Sequence, residues 1–172
     1  MFAQVDKDGQ ILQIAEGFEE APFGDAVLIP DDQSQDIAKN PSHYIHQNGQ
    51  FILTEAHLNT IKQRKKVELD AECNRAILAG FTSATTGHFY KFDQEAQDNF
   101  SQQSTLLLLK PDISEVYWKT EDAGIVLHTR DQFINVVFEA GQHKQQKIAK
   151  YWTLKAQVQA ATTRAEVDAI NW

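Results

Sequence analysis

Thr54-Glu-Ala-His-Leu-Asn-Thr-Ile-Lys-Gln-Arg-Lys-Lys-Val-Glu-Leu-Asp-Ala-Glu-Cys-Asn-Arg-Ala-Ile-Leu-Ala-Gly80 decides how this chain is organised. Between Glu55 and Ala79 there is neither proline nor glycine, and most residues are good helix formers, so one helix of about seven turns is expected. Gly80 supplies the stop, with Phe81 placed to pack back on the last turn. Leu58 and Ile61 begin an apolar face, but Lys65, Glu68 and Glu72 fall where it should continue, until Ala76 and Ile77 resume it. A helix apolar only at its ends bridges separate bodies. The expectation is a water-facing rod over residues 55–79, holding apart an N-terminal β module (1–54) and a C-terminal α+β domain (80–172). The same interruption disfavours a heptad-driven coiled coil, although polar residues do occur at the core positions of oligomers, and self-association stays open.

Upstream of the rod, Phe2 to Asp6 and Gln10 to Ile14 flank Lys7-Asp8-Gly9, whose Asp-Gly step suits a hairpin turn. Ala26 to Ile29 reads as a further strand stopped by Pro30, with one helical turn expected near Ser34 to Lys39. Tyr44 to Gln47 and Gln50 to Leu53 form a second hairpin about Asn48-Gly49.

Downstream, His88-Phe89-Tyr90-Lys91-Phe92 is an aromatic strand, and Asp93 caps a helix from about Gln94 to Leu109, closed by Pro111. A third hairpin turns at Asp122-Ala123-Gly124, with Val116 and Trp118 on one face of its first strand and Ile125 and Leu127 sharing a face of the return strand. Thr129 and Gln132 open a helix that continues to about Gln159. In it Phe133, Val137 and Ala140 form one row with Ile134, Phe138 and Gly141 beside it, so both rows are expected in the core, and the polar run Gln142 to Lys147 suggests a bend or an exposed mid-section. Thr163 and Glu166 cap a last short helix ending in Ile170-Asn171-Trp172, whose terminal aromatic is expected to be packed.

With 24 acidic and 16 basic residues in 172, the chain carries a formal charge of −8 with no charged tail. Phosphate backbones and anionic lipids need a positive field, so neither nucleic acid nor a membrane is expected as a partner. The one basic cluster, Lys62 with Arg64, Lys65 and Lys66, is cancelled by Glu68, Asp70 and Glu72 and reads as a solvated helix face. A single cysteine, Cys73, has no disulfide partner and suits a reducing compartment. The start, Met1 to Asp6, lacks the basic and apolar segments of a secretory signal, so if the protein leaves the cell, lysis or a particle is the expected route.

Chemistry is sought in three places. His43 and His46, three apart, could share a metal ion, but spacing marks no further ligand. His57, His88, His128 and His143 stand singly and read as hydrogen-bonded or exposed rather than as general bases. Glu115, Glu121 and Asp122 lie near an aromatic hairpin, yet sugar cleavage needs two carboxylates facing across a cleft, which adjacency in a turn does not give. Glycine spacing matches no phosphate loop or dinucleotide fingerprint, and Cys73 has no identifiable histidine partner. No catalytic, cofactor-binding or metal-binding residue is therefore assigned. What remains for recognition is aromatic: Phe89, Tyr90, Phe92, Tyr117, Trp118, Tyr151 and Trp152. Neighbours along a strand point to opposite faces, so some of these stay exposed as protein-docking candidates.

Gly80-Phe81, Gly87-His88-Phe89-Tyr90-Lys91-Phe92-Asp93 with Gln97 and Asn99, Trp118-Lys119-Thr120 with Gly124 and Thr129, and Ala160-Ala161-Thr162-Thr163 running to Ile170-Asn171-Trp172 carry a resemblance. Together they make residues 72–172 resemble a phage and prophage family of unknown function found among tail and tail-fibre genes. The N-terminal part is similar to the front of small tail-fibre assembly and attachment proteins. The resemblance implies a place and a partner: the virion tail, or the host cytoplasm during assembly, and a tail-fibre or baseplate protein. It carries over no catalytic residue. The expected function is a non-enzymatic tail adaptor. A fibre-assembly chaperone that leaves the virion is the alternative, and a glycan-degrading tail enzyme is the more distant one.

Overall fold

The computed structural model describes residues 1–172, which divide into two compact units: Met1–Lys65 with Ala161–Ala169, and Lys66–Ala160 with Ile170–Trp172. The fold is mixed α+β. The division falls inside the long helix between Lys65 and Lys66, and the first unit also takes a segment from near the C-terminus.

In the first unit β1 (Phe2–Val5) is the centre of a three-stranded antiparallel sheet between β2 (Ile11–Ala15) and β3 (Ala26–Leu28). The β1–β2 turn is tied by Asp6, whose Oδ1 accepts from the backbone N–H groups of Asp8 and Gln10. Gly9 in that turn has φ +82°, and a Cβ there would stand 2.2 Å from the carbonyl oxygen of His46. Only glycine lets the first hairpin approach the second so closely. Helix α1 (Asp31–Lys39) follows Pro30 and is longer than the single turn expected. A 3-10 turn, Pro41–His43, leads into β4 (Tyr44–Gln47) and β5 (Gln50–Leu53), joined through Asn48 and Gly49, both at positive φ. Ala3, Ile29, Ile37, Tyr44 and Phe51 form the core of this unit.

The short helix α5 (Arg164–Asp168) belongs to this unit and begins with the expected Thr163–Glu166 capping box. Its Arg164 and the hydroxyl of Tyr44 both donate to Asp36 Oδ2, the Tyr44 bond being 2.5 Å. The Tyr44 bond, then Arg164, hold the Asp36 carboxyl below its ordinary range against the opposing effect of burial. Burial and the same carboxylate push Tyr44 up to about 12 from 10.0. Because Tyr44 is harder to ionise when folded, its contribution to stability is complete below pH 10 and is lost as the pH rises toward 12. Asp36, with a lowered folded value, contributes above its ordinary 3.8 and is lost on acidification. Tyr44→Phe should therefore lower stability by about 1–2 kcal/mol at neutral pH. In thermal melts of the two proteins the gap should narrow between pH 10 and 12; a gap that stays constant there would contradict the assignment.

Helix α2 (Glu55–Leu78) overturns the solvated-rod expectation. Lys62, Leu69, Cys73 and Ile77 are buried along one face, so the middle of the helix is half core, not spacer. The apolar stripe runs one residue out of phase with the row begun at Leu58 and Ile61. It is obscured in sequence because a lysine occupies one of its positions, and a lysine stem can cover apolar surface. Cys73 and Ile77 belong to the core of the second unit, and burial pushes the Cys73 thiol up, which makes it inert.

The second unit contains two two-stranded antiparallel sheets: β6 (Phe81–Thr82) with β7 (Phe89–Tyr90), and β8 (Glu115–Thr120) with β9 (Gly124–Thr129). Two helices accompany them, α3 (Gln94–Leu109) and α4 (Arg130–Ala160). Asp93 caps α3 through the Ala96 N–H, and Thr129 and Gln132 exchange both bonds of a capping box at the start of α4. Arg130 donates to the carbonyls of Leu107, Lys110 and Ile113, so the first residue of α4 satisfies acceptors left open at the end of α3. The core is aromatic: Phe100 lies 4.6 Å from Trp118 and 5.9 Å from Phe133, between ring centroids, and Phe81, Tyr90 and Phe92 close around it. Tyr90 and His128 are buried polar groups joined at 2.7 Å. His128 Nδ1 lies 3.1 Å from the Val126 carbonyl, which assigns the proton to Nδ1 and leaves Nε2 to accept from the tyrosine.

One expectation for α4 fails and another is met. The helix runs unbroken through Gln142 to Lys147, which form a mostly exposed mid-section rather than a bend, and of its two adjacent rows only the one bearing Phe133 and Ala140, with Val137 half-buried on the core, is buried. Ile134, Phe138 and Gly141 face water. Adjacent residues are about 100° apart around a helix, too far for both rows to meet one narrow core. Trp172 packs as expected, half-buried on the aromatic core with Lys150 Nζ 4.6 Å from its ring centre.

Candidate docking surface

The seven aromatics singled out as recognition candidates divide cleanly. Tyr90 and Phe92 are buried, and Trp118 and Tyr151 are half-buried against the same core. Phe89, Tyr117 and Trp152 face solvent. In each neighbouring pair one ring turns in and the other out, because β7 and β8 alternate faces and successive residues of α4 diverge.

The β8–β9 hairpin sets the sharpest contrast. Its register pairs Tyr117 with Leu127 and Lys119 with Ile125, which places these four on one face, and Val116, Trp118 and His128 on the other. The second face packs inward, with Trp118 4.8 Å from Phe133 between ring centroids. The first face is open, yet Tyr117 is 70% exposed, Ile125 73% and Leu127 46%. A two-stranded sheet needs one buried face; an apolar second face is not required by the fold. Leu106, Leu108 and Leu109 at the end of α3 are also exposed. These aliphatic positions lay outside the aromatic reading of the sequence, although the strict alternation of Tyr117, Ile125 and Leu127 against the inner residues was a signal for them.

Of the carboxylates near this hairpin, Asp122 is occupied and Glu115 lies at the far end of the strand. Asp122 Oδ1 accepts from the Phe89 N–H at 2.9 Å and its Oδ2 lies 3.0 Å from His88 Nδ1. The His88 bond first, then the Phe89 N–H, hold the Asp122 carboxyl down at about 2. Together with the Glu121 N–H, which donates to the Phe89 carbonyl, Asp122 pins the turn to β7. Glu115 stands at the opposite end of β8, about 17 Å along a six-residue strand.

The histidines each find a neighbour. His43 stacks on His57 with ring centres 3.4 Å apart, and His46 tilts against Phe51. Partial burial, and secondarily the neighbouring His43, lower the pKa of His57. His143 Nε2 lies 3.2 Å from the Ile77 carbonyl. No group of three or more His, Cys, Asp or Glu side chains is assembled as metal ligands, and no helix is long and apolar enough to cross a membrane.

A family model described as "Domain of unknown function (DUF4376)" matches residues 60–171, nearly two-thirds of the chain, beginning inside α2 and running through α5. No curated protein and no solved structure matches the chain.

Proposed function

We propose a function for this chain, which belongs to the DUF4376 family: a non-enzymatic adaptor of a bacteriophage tail that docks a tail-fibre or baseplate protein. The observation that carries the docking role is the outer face of β8–β9, where Tyr117, Ile125 and Leu127 stand in water without any role in the core. Tyrosine is enriched at binding hot spots, being large in contact area and small in ordering cost, and Ile125 and Leu127 extend the apolar area around it. The tail location rests on the sequence resemblance around Gly87 to Asp93 and the Trp118-Lys119-Thr120 segment. A net charge of −8 makes nucleic acid the less suitable partner.

The test begins with proteomics of purified, infective particles carrying the wild-type gene, followed by cross-linking to name the neighbours. The adaptor should be present and cross-linked to a fibre or baseplate protein. A Tyr117→Ser/Ile125→Ser/Leu127→Ser variant, altered only at exposed positions, should fold but drop out of the particle. A chain absent from particles, yet raising fibre solubility on co-expression, would instead identify an assembly chaperone. Retention of the triple variant at wild-type level would reject this face as the docking site.

A further inference from the structure

Helix α4 carries a second unexplained surface, independent of the hairpin. With Phe133, Val136, Ala140 and Val158 buried, the adjoining flank of the helix carries Ile134, Phe138, Gly141, Gln145, Ile148 and Trp152, all exposed except Ile148, which is half-buried against the core. Their spacing is 4, 3, 4, 3, 4, the 3.5-residue repeat of a coiled-coil seam. Phe138 is 63% exposed and Trp152 66%, and an open groove of about 610 Å³ runs along the helix between them. Asp131, one step before Ile134, and Lys155, one step after Trp152, continue the same repeat to either end, and both are exposed.

Gly141 adds a separate argument. A glycine within a helix costs about 1 kcal/mol relative to alanine. Nothing lies within 4 Å of where its Cβ would be, so the packing of this chain gives no reason for it. A bare position in the middle of an apolar seam is explained by a second helix coming close.

We infer that the outer stripe of α4 pairs with the same stripe of a second copy of this chain, antiparallel, about a two-fold axis at His143. That axis sets Ile134 against Trp152 of the second copy, Phe138 against Ile148, and Gly141 against Gln145, so each large ring meets an aliphatic side chain and the bare position meets the polar one. It closes the seam at both ends with Asp131 against Lys155. A parallel pair would instead bring Asp131 onto Asp131 and Lys155 onto Lys155, and leave Gly141 facing Gly141. The wider charge pattern points the same way. Asp131 and Glu139 lie in the first third of α4, whereas Lys144, Lys147, Lys150 and Lys155 follow with no acidic residue among them. Only the antiparallel arrangement lays the acidic end beside the basic one, and it opposes the helix dipoles as well. The occupant is thus self-complementary, as a two-fold interface requires.

Sedimentation equilibrium of the full chain tests this. The wild type should be a dimer, and Phe138→Glu/Trp152→Glu a monomer with an unchanged far-ultraviolet circular dichroism spectrum. Asp131→Lys and Lys155→Asp alone each turn two end layers repulsive and should raise the dimer Kd by about tenfold, equivalent to about 1.4 kcal/mol. Combining the two swaps restores opposite charges in both layers and should recover most of the affinity. A wild type that stays monomeric, a dimer indifferent to the Phe138 and Trp152 changes, or a double swap no tighter than either single one would each overturn the inference.

Discussion

Phe133→Ala is expected to destabilise the protein by about 3–5 kcal/mol. Phe133 is fully buried, and its ring touches three of the elements that make the second unit: Phe100 of α3, Trp118 of β8 and His128 of β9. Deleting it removes the transfer free energy of the ring and leaves a cavity that neighbours already packed on each other cannot fill. A loss of that size is a large share of the roughly 5–15 kcal/mol that holds an ordinary domain together. Leu108→Ala, at an 80% exposed position, should stay within about 0.5 kcal/mol of the wild type. Urea denaturation monitored by tryptophan fluorescence would measure both through the shift in midpoint. Comparable losses for the two variants would mean that the aromatic cluster is not the organising core.

Local signals decided what could be read from sequence. The three hairpin turns at Asp8-Gly9, Asn48-Gly49 and Asp122-Ala123-Gly124, the Asp93 cap and the Thr129 and Thr163 capping boxes are all present, because each depends on residues within a few positions of one another. The long helix was legible for the same reason. Which of its faces is buried was not: Cys73 and Ile77 pack into a core most of whose other members are remote in sequence, and a lysine interrupts their stripe. The error at Ile134 and Phe138 has the same origin, since an apolar row does not declare whether it meets the chain's own core or something outside it. Of the docking candidates, strand alternation correctly implied that one ring of each pair faces out. Which ring does so is set by register, and Tyr117 rather than Trp118 is outermost because Trp118 shares its face with Val116 and His128.

Gly80→Ala should be strongly damaging although it adds only a methyl group. Gly80 follows α2 at φ +88°, a left-handed conformation that costs a residue with a Cβ about 1–2 kcal/mol. The added carbon would also stand 2.5 Å from the Tyr90 carbonyl oxygen and 2.8 Å from Phe89 Cζ. The Phe89 ring is partly exposed and can swing aside, but the Tyr90 carbonyl is backbone. Its strand is held by the buried Tyr90 side chain, which is bonded to His128, and by the Phe89 N–H bond to Asp122. Relieving that overlap means moving β7 against the aromatic core, an overpacking cost of about 1–3 kcal/mol. The reduced freedom of the unfolded chain returns only about 0.4–1 kcal/mol, so a net loss of about 1–5 kcal/mol remains. Gly87→Ala separates the two contributions. Gly87 has φ +74° with nothing within 4 Å of its Cβ position, so it carries the conformational cost without the collision. Gly80→Ala should therefore exceed Gly87→Ala by at least about 1 kcal/mol in urea denaturation; equal losses would show that backbone conformation alone, and not the close approach of α2's end to β7, makes the glycine necessary.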